Sequence, residues 1–457
     1  MSIKQLPPPC ASTLVIAIAL LYIASFSMLP ASAASPWVEM QPPVIPEMAW
    51  GVELIHFMDA DTGWAEGEGF EIHADGDTGR REQNVILRTS DGGQSWQQVE
   101  PHDDANEFPI YFSSPRLGSR ILAPIHWRGY PDLLDDIEYY HSADGGLTWQ
   151  LRSGKVTELI RIGDEVPEGP LEENHRAYDR GTYFVDNQHG WYLSISGDWR
   201  RRWNEFGFPV GKPLAGNILC STRDGGESWK CQVHVYLSVH VGHRGVDGTR
   251  RAPRYIEFLD PQVGWIVPDS GWIYHTVDGG ATWEFVDNPM TDRPFPDSPF
   301  TTDVDFVDES RGWLVTNREG GAYFTDDAGR SWQLKLSGMY WAVYADENGV
   351  WVGGRGRPLE ATSNETREGI FYSADNGETW QLEWEGAYSV HDFDDWHWVS
   401  KSANWPTYIG YHQVTQALWA GGTGGFILKR TIPSAAVTPL GKLPALWGKL
   451  KAPLPVK

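Results

Sequence analysis

"HSADGGLTWQ" (His141–Gln150) places a carboxylate, two adjacent glycines and a tryptophan within a single short stretch. Taken alone, Asp144 fits a catalytic acid, a metal ligand or a turn residue. Repetition decides between them, because an active site is built once and scaffolding many times. The pattern Ser/Thr-x-Asp-x-Gly-x-Ser/Thr-Trp recurs as TSDGGQSW ending at Trp96, SADGGLTW at Trp149, TRDGGESW at Trp229, TVDGGATW at Trp283, TDDAGRSW at Trp332 and SADNGETW at Trp380. Matches at near-regular spacing define a repeat array.

A second motif precedes the boxes and fixes the period: FMDADTGW (Phe57–Trp64), FVDNQHGW (Phe184–Trp191), FLDPQVGW (Phe258–Trp265) and FVDESRGW (Phe306–Trp313). Looser copies begin at Phe112 (FSSPRLGS), Tyr344 (YADENGVW) and Phe393 (FDDWHW). Seven openings and six boxes make seven units, the last without a box. Within a unit, alternating runs bounded by Gly, Asp and Pro turns predict four antiparallel strands, A to D, with the box forming the C–D hairpin. The expected fold is therefore all-β, a seven-bladed β-propeller of four-stranded antiparallel blades.

The box residues suit that hairpin. Glycines take positive φ at little steric cost, while Asp and Ser/Thr side chains bond turn amides. The Trp supplies apolar surface between neighbouring blades. Asp91, Asp144, Asp224, Asp278, Asp327 and Asp375 accordingly read as structural.

These motifs resemble the Asp-box, or BNR-repeat, β-propellers over residues 36–430. The opening-to-box rhythm is most similar to the photosystem II stability/assembly-factor-like branch. That resemblance implies a protein partner, such as a membrane complex under construction; no cofactor is expected. Ring closure is also legible: SPWVEMQPP (Ser35–Pro43) resembles the strand that follows a box, and the last unit ends at GGFILKR (Gly424–Arg430) without one. The N-terminal strand is expected to complete blade seven and remove the open edges.

Three segments follow: 1–33 as a signal peptide, 34–430 as the propeller and 431–457 as a Pro-rich basic tail expected to be disordered. Lys4, the apolar run Thr13–Leu29 and Ala31-Ser32-Ala33 carry the signal reading, with an uncleaved anchor as the alternative. The expected address is an exported one: periplasm, thylakoid lumen or extracellular space. A net charge of −24 argues against nucleic acid as a partner. Cys220 and Cys231 flank the third box symmetrically, which suggests a disulfide in an exported chain.

Nearly all insertions fall in the B–C and D–A loops, opposite the boxes, where binding commonly resides; they include the long D–A connection KVTELIRIGDEVPEGPLEENHRA from Lys155 and the last unit's KSANWPTYIGYHQ (Lys401–Gln413). Arg beside aromatic residues favours interfaces and sugars, and selects Trp127, Arg128, Tyr130, Trp199, Arg201, Trp203, Arg244, Trp405 and Tyr408 as binding candidates. The enzyme alternative is a sialidase-like glycoside hydrolase, or a carbohydrate-binding protein, using the same face. Sialidases resemble this chain in their boxes, but neither VIP at 44–46 nor TIP at 431–433 supplies their Arg-Ile-Pro stretch. Glu66, Glu68, Asp132, Asp135 and Asp136 offer paired carboxylates on that face, although acidic clusters in an acidic protein are usually solvated surface. HADGDTG (His73–Gly79) is too short for an EF-type calcium loop. No catalytic residue and no metal site is expected. The leading expectation is an exported, non-catalytic binding or assembly module.

Overall fold

The computed structural model describes residues 35–42, 45, 48–72, 78–99, 111–112, 118–121, 136–144, 148, 150–163, 176–198, 202–203, 209–210, 214–237, 253–268, 273–286, 301–317, 320–356, 366–386 and 405–432. Among them every regular element is a strand. β1 (Val38–Met40) precedes the repeats. The first unit holds β2 (Met48–Trp50), β3 (Leu54–Phe57), β4 (Gly63–Ile72), β5 (Thr78–Thr89) and β6 (Gln97–Val99), and the second holds β7 (Tyr111–Phe112), β8 (Gly118–Ile121), β9 (Asp136–Ser142) and β10 (Gln150–Gly163). The third runs through β11 (Arg176–Phe184), β12 (Gly190–Asp198), the ribbon strands β13 (Arg202–Trp203) and β14 (Pro209–Val210), then β15 (Leu214–Thr222) and β16 (Ser228–Leu237). Next come β17 (Pro253–Phe258), β18 (Gly264–Pro268), β19 (Ile273–Thr276) and β20 (Glu284–Val286). β21 (Thr301–Phe306), β22 (Gly312–Thr316), β23 (Gly320–Thr325), β24 (Gln333–Asp346), β25 (Gly349–Gly356), β26 (Arg367–Ser373) and β27 (Gln381–Glu385) form one continuous sheet. β28 (Pro406–His412), β29 (Ala417–Gly422) and β30 (Ile427–Thr431) end the chain of strands.

Where described, the opening motifs are A–B hairpins. Phe57 faces Gly63 across it, as Phe184 faces Gly190, Phe258 faces Gly264 and Phe306 faces Gly312. The Phe ring lies over the glycine so closely that a Cβ at Gly312 would sit 2.4 Å from Phe306 Cδ1. The boxes close the C–D hairpins, and A–B turn and box of one unit are hydrogen-bonded: Gly92 N–H donates to Asp61, Gly225 to Gln188, Gly279 to Gln262 and Ala328 to Ser310. The architecture is an all-β propeller, with turns A–B and C–D gathered at one end of each unit and B–C and D–A at the other.

The opening Trp is buried in the seam between its unit and the next. Trp191 stacks on Phe258 with centroids 3.4 Å apart, Trp265 on Phe306 at 3.7 Å, and Trp419 lies 4.5 Å from Phe57. A second contact repeats with the first, where the preceding unit donates to the carbonyl beside the box aspartate. The donors are Trp191 to Gly279, Trp265 to Ala328, Tyr139 hydroxyl to Gly225 and Lys429 ammonium to Gly92. The second box glycine makes room for this approach, since a Cβ on Gly93 would meet Trp419 at 2.3 Å.

β1 pairs antiparallel with β30, Val38 opposite Lys429 and Met40 opposite Ile427. Trp37 stands where a box Trp would, and its indole donates to Glu383 at 3.1 Å. The Trp351 indole donates to the same oxygen at 3.1 Å, and Arg430 donates to the other at 2.8 Å. Glu383 thus serves as the acceptor at that seam, where the last unit carries no box.

Two expectations need correction. The stretch beginning at Lys155, read as a D–A loop, continues as strand: Lys155–Gly163 of β10 pairs parallel with Ser228–Val235 of β16. The β-rich sequence VTELIRIG favours this, and a bulge between Val156 and Glu158 lets both Val156 and Leu159 pack on the core around Trp229. In the last unit, Pro406–His412 is the innermost strand, not part of a B–C insertion. His412 opposes Ala417 there, so the Trp that follows, Trp419, sits one residue beyond the usual Gly-Trp spacing. That offset concealed the hairpin. The FDDWHW copy from Phe393 lies outside the described residues.

Candidate functional site

All six box aspartates are fully engaged in their own turns. One carboxylate oxygen accepts the Ser/Thr amide four residues on at 2.8–2.9 Å and the hydroxyl two residues back at 2.8–2.9 Å. The other accepts the downstream hydroxyl at 2.5–2.6 Å. Donors that prefer the ionised form hold the carboxyl acidic. Asp91 is lowered to about 2 by the Ser95 hydroxyl and amide, and Asp375 to about 2 by those of Thr379. Such groups are poor proton donors at neutral pH. The opening aspartates serve their turns likewise, Asp59, Asp186, Asp260 and Asp308 each accepting two turn amides.

Further carboxylates cap the innermost strands. Glu257 accepts Phe306 N–H of the next unit, Asp303 accepts Val343 N–H at 2.8 Å, and Asp305 accepts Ala345 N–H at 2.6 Å. Each satisfies an edge amide that the unit's own hydrogen bonding leaves over. Of the paired-carboxylate candidates, Glu66 is buried within β4 and Asp136 is exposed opposite Lys155 in another unit, so the two do not meet. Asp132, Asp135 and residues 73–77 lie outside the described residues, as does the side chain of Glu68. Among the described residues no group of three or more His, Cys, Asp or Glu is placed to hold a metal ion.

Trp405 and Tyr408 are the binding candidates whose side chains are described. The Tyr408 hydroxyl donates to the Ile55 carbonyl at 2.9 Å and lies 3.0 Å from His412 Nε2, and burial raises its pKa well above the ordinary value. Tyr408 is therefore committed to the seam between the last unit and the first. Trp405 precedes β28 at the loop end, half-buried and stacked on Trp341 with centroids 4.7 Å apart and planes 13° apart. Thr423 braces it from both sides, its hydroxyl accepting Trp405 N–H and its amide donating to the Trp405 carbonyl. Thr407 at the same seam donates to Val52 O at 2.6 Å. Trp341 belongs to no repeated motif; only strand alternation, which turns it away from buried Tyr340, points to it. Trp203 lies in the β13–β14 ribbon, opposite Pro209. Trp127, Arg128, Tyr130, Trp199, Arg201 and Arg244 lie outside the described residues.

Cys220 and Cys231 are directly opposite on β15 and β16 and form a disulfide. Both are buried against Trp229.

Residues 198–349 match a family model described as photosynthesis system II assembly factor YCF48, and residues 371–382 match the BNR/Asp-box repeat. The photosystem II assembly lipoprotein Ycf48 of Synechococcus sp. (strain CC9902) is 26% identical over 191 residues, 42% of this chain and 46% of that protein. The match thus spans about half the length of that relative. Among solved structures, YCF48 bound to D1 peptide aligns with 89% of this chain and 100% of its own at 18% identity and a TM-score of 0.48. YCF48 from Cyanidioschyzon merolae aligns with 87% and 99% at 15% identity and a TM-score of 0.35. The Asp-box resemblance, and its leaning towards the photosystem II branch, are borne out by the sequence matches.

Proposed function

We propose that this chain is an exported, non-catalytic assembly-factor-like propeller of seven blades, closed by β1, that holds a segment of a membrane-protein partner at its B–C/D–A loop end. The observation that carries the reading is the engagement of the repeated carboxylates. Every box aspartate accepts three hydrogen bonds within its own turn, so the most conspicuous acidic feature of the sequence supports a rigid frame and not chemistry. The matched family model adds the kind of task, assembly of a photosystem II-like membrane complex.

Closure is supported by the seam chemistry. Trp419 and Lys429 meet Phe57 and Gly92 as Trp191 and Trp265 meet the units that follow them. At the loop end, the Trp341–Trp405 stack supplies a rigid aromatic surface, and the β13–β14 ribbon between β12 and β15 belongs to the insertion whose sequence carries Trp199, Arg201 and Trp203. Aromatic residues with Arg are the usual anchors of protein interfaces. The signal segment 1–33, the propeller 34–430 and the tail 431–457 complete the proposed organisation.

The test is site-specific photo-crosslinking from positions 203 and 405 in the native membrane fraction, with position 277 on the box end as the control. Crosslinks to integral membrane polypeptides from 203 and 405 alone support the proposal. Crosslinks from 277 alone, or turnover of a sialoside or glucan by the purified chain, overturn it.

A further inference from the structure

Four boxes are tied to the opening turn of their own unit through the residue after the aspartate. Gly92, Gly225, Gly279 and Ala328 stand there at positive φ, and each donates its N–H to a carbonyl of the A–B turn. Asn376 takes this position in the sixth unit, exposed and at a φ of 56°, a conformation that asparagine tolerates better than most residues. The A–B turn of that unit is cut to Glu347 and Asn348 between β24 and β25. Among the described residues no backbone hydrogen bond joins it to Asn376. The sixth box therefore lacks the brace that the other four share.

Asn376 precedes Gly377, and the sequence has one other Asn-Gly pair, Asn348-Gly349. Glycine has no side chain to keep its nitrogen away from the carboxamide before it. In the box that nitrogen is turned elsewhere, since Gly377 N–H donates to Ser373 Oγ at 2.8 Å. Asn348 is held more firmly. Its N–H donates to Asp346 Oδ1 at 2.7 Å, its carbonyl accepts the Tyr372 hydroxyl at 2.9 Å, and Gly349 lies in β25 opposite Asp346. One hydroxyl thus stands between Asn376 and its neighbour's nitrogen, whereas Asn348 is fixed at the turn of a sheet.

We propose that Asn376 is a site of intramolecular deamidation that records opening of the sixth box. When Gly377 leaves Ser373, its nitrogen attacks Asn376 Cγ, its proton passes to solvent and ammonia departs, which closes a succinimide. Water then adds to either carbonyl of the ring and gives an aspartyl or an isoaspartyl residue, with no change of oxidation state. Both products set a new carboxylate beside Asp375, and the isoaspartyl form also lengthens the backbone. That happens where Gly377 lies against Trp313 and Glu378 holds Lys335 at 2.6 Å, so the seam between the fifth and sixth units is weaker in a marked chain. The site is at the box end and stands independently of the loop-end reading above.

The full chain is kept in mildly alkaline buffer, folded or in denaturing urea, and positions 348 and 376 are followed by peptide mapping with mass spectrometry. In urea the two should deamidate at similar rates, since both precede glycine. In the folded chain 376 should outpace 348 by about tenfold or more and still run slower than in urea, because its rate follows the population of the open box. Ser373→Ala should speed position 376 and leave 348 unchanged, and Ser373→Thr, the residue that four other boxes use, should restore protection. Urea below the unfolding transition gives the same comparison without a substitution, and should speed 376 alone. Position 376 no faster than 348 in the folded chain, equal rates at 376 in folded and unfolded chain, or a folded Ser373→Ala variant with an unchanged rate overturns the proposal.

Discussion

Trp419 in the last unit packs on Phe57 in the first, ring centroids 4.5 Å apart, across 362 residues of chain, and Trp96 of the first box meets both rings edge-on. The same pairing of an opening Trp with the Phe of the following unit joins Trp191 to Phe258 and Trp265 to Phe306. The last unit therefore meets the first through the same contact that joins neighbouring units within the chain. Replacing Trp419 by Ala removes a side chain with no solvent exposure and should cost about 3–5 kcal/mol. Urea unfolding of the variant checks this, and a loss as small as that of an exposed substitution such as Val277→Ala would count against the seam.

Gly226 is expected to tolerate no side chain. Its φ is 88°, and a Cβ would lie 2.0 Å from the Tyr139 hydroxyl of the preceding unit. Gly226→Ala should destabilise by roughly 1–2 kcal/mol from the backbone alone and by about 1–3 kcal/mol more from overpacking. Adding Tyr139→Phe should recover part of the second loss, which a thermodynamic cycle would detect.

Stability should fall in two steps as pH is lowered. His412 is half-buried beside Phe57 and Tyr408, and desolvation lowers its pKa to about 4 from 6.5, so its folded state favours the neutral ring. The stability tied to neutral His412 is complete above 6.5 and is lost as pH falls to about 4. Asp91 and Asp375 act lower down: their contribution is present above 3.8 and is lost as pH falls through about 2. Melting temperatures across pH 8 to 2 check both steps. His412→Gln should shrink the upper step, which His141, lowered to about 4 by burial, shares, and should leave the lower.

Reduction should weaken the third unit. The Cys220–Cys231 bond closes a loop of sequence separation 11, and its loss should cost roughly 2–3 kcal/mol in the chain-entropy picture. Cys220→Ser with Cys231→Ser should match the reduced protein in denaturant midpoint.

Much of this fold is legible in the sequence because each unit repeats a turn with its own chemistry. Asp91 and its counterparts bond within a few residues of themselves, so their role is local and a motif reveals it. The disulfide is legible for the same reason, since Cys220 and Cys231 are symmetric about a hairpin. What escapes is set by contacts distant in sequence. Nothing near Tyr139 announces that its hydroxyl does the work of the Trp missing from FSSPRLGS. Nor does Tyr408, an aromatic beside a turn-rich stretch, disclose that the Ile55 carbonyl accepts its hydroxyl's hydrogen bond. The continuation of β10 along β16 depends on a bulge at Thr157 that places Val156 and Leu159 on one side, a detail that alternation alone hides. At the candidate site, Trp405 was visible as an aromatic in a loop-like stretch, whereas its stacking partner Trp341 became apparent only when the two units were brought together.

The central claim is that β1 completes the last sheet in the register Val38 opposite Lys429. Val38→Cys with Lys429→Cys tests it most directly, by mass spectrometry of the oxidised folded chain after digestion. The account predicts a new 38–429 crosslink, and none in an off-register control with Val38→Cys and Arg430→Cys. Two free thiols in the first variant, or equal crosslinking in both, would contradict it.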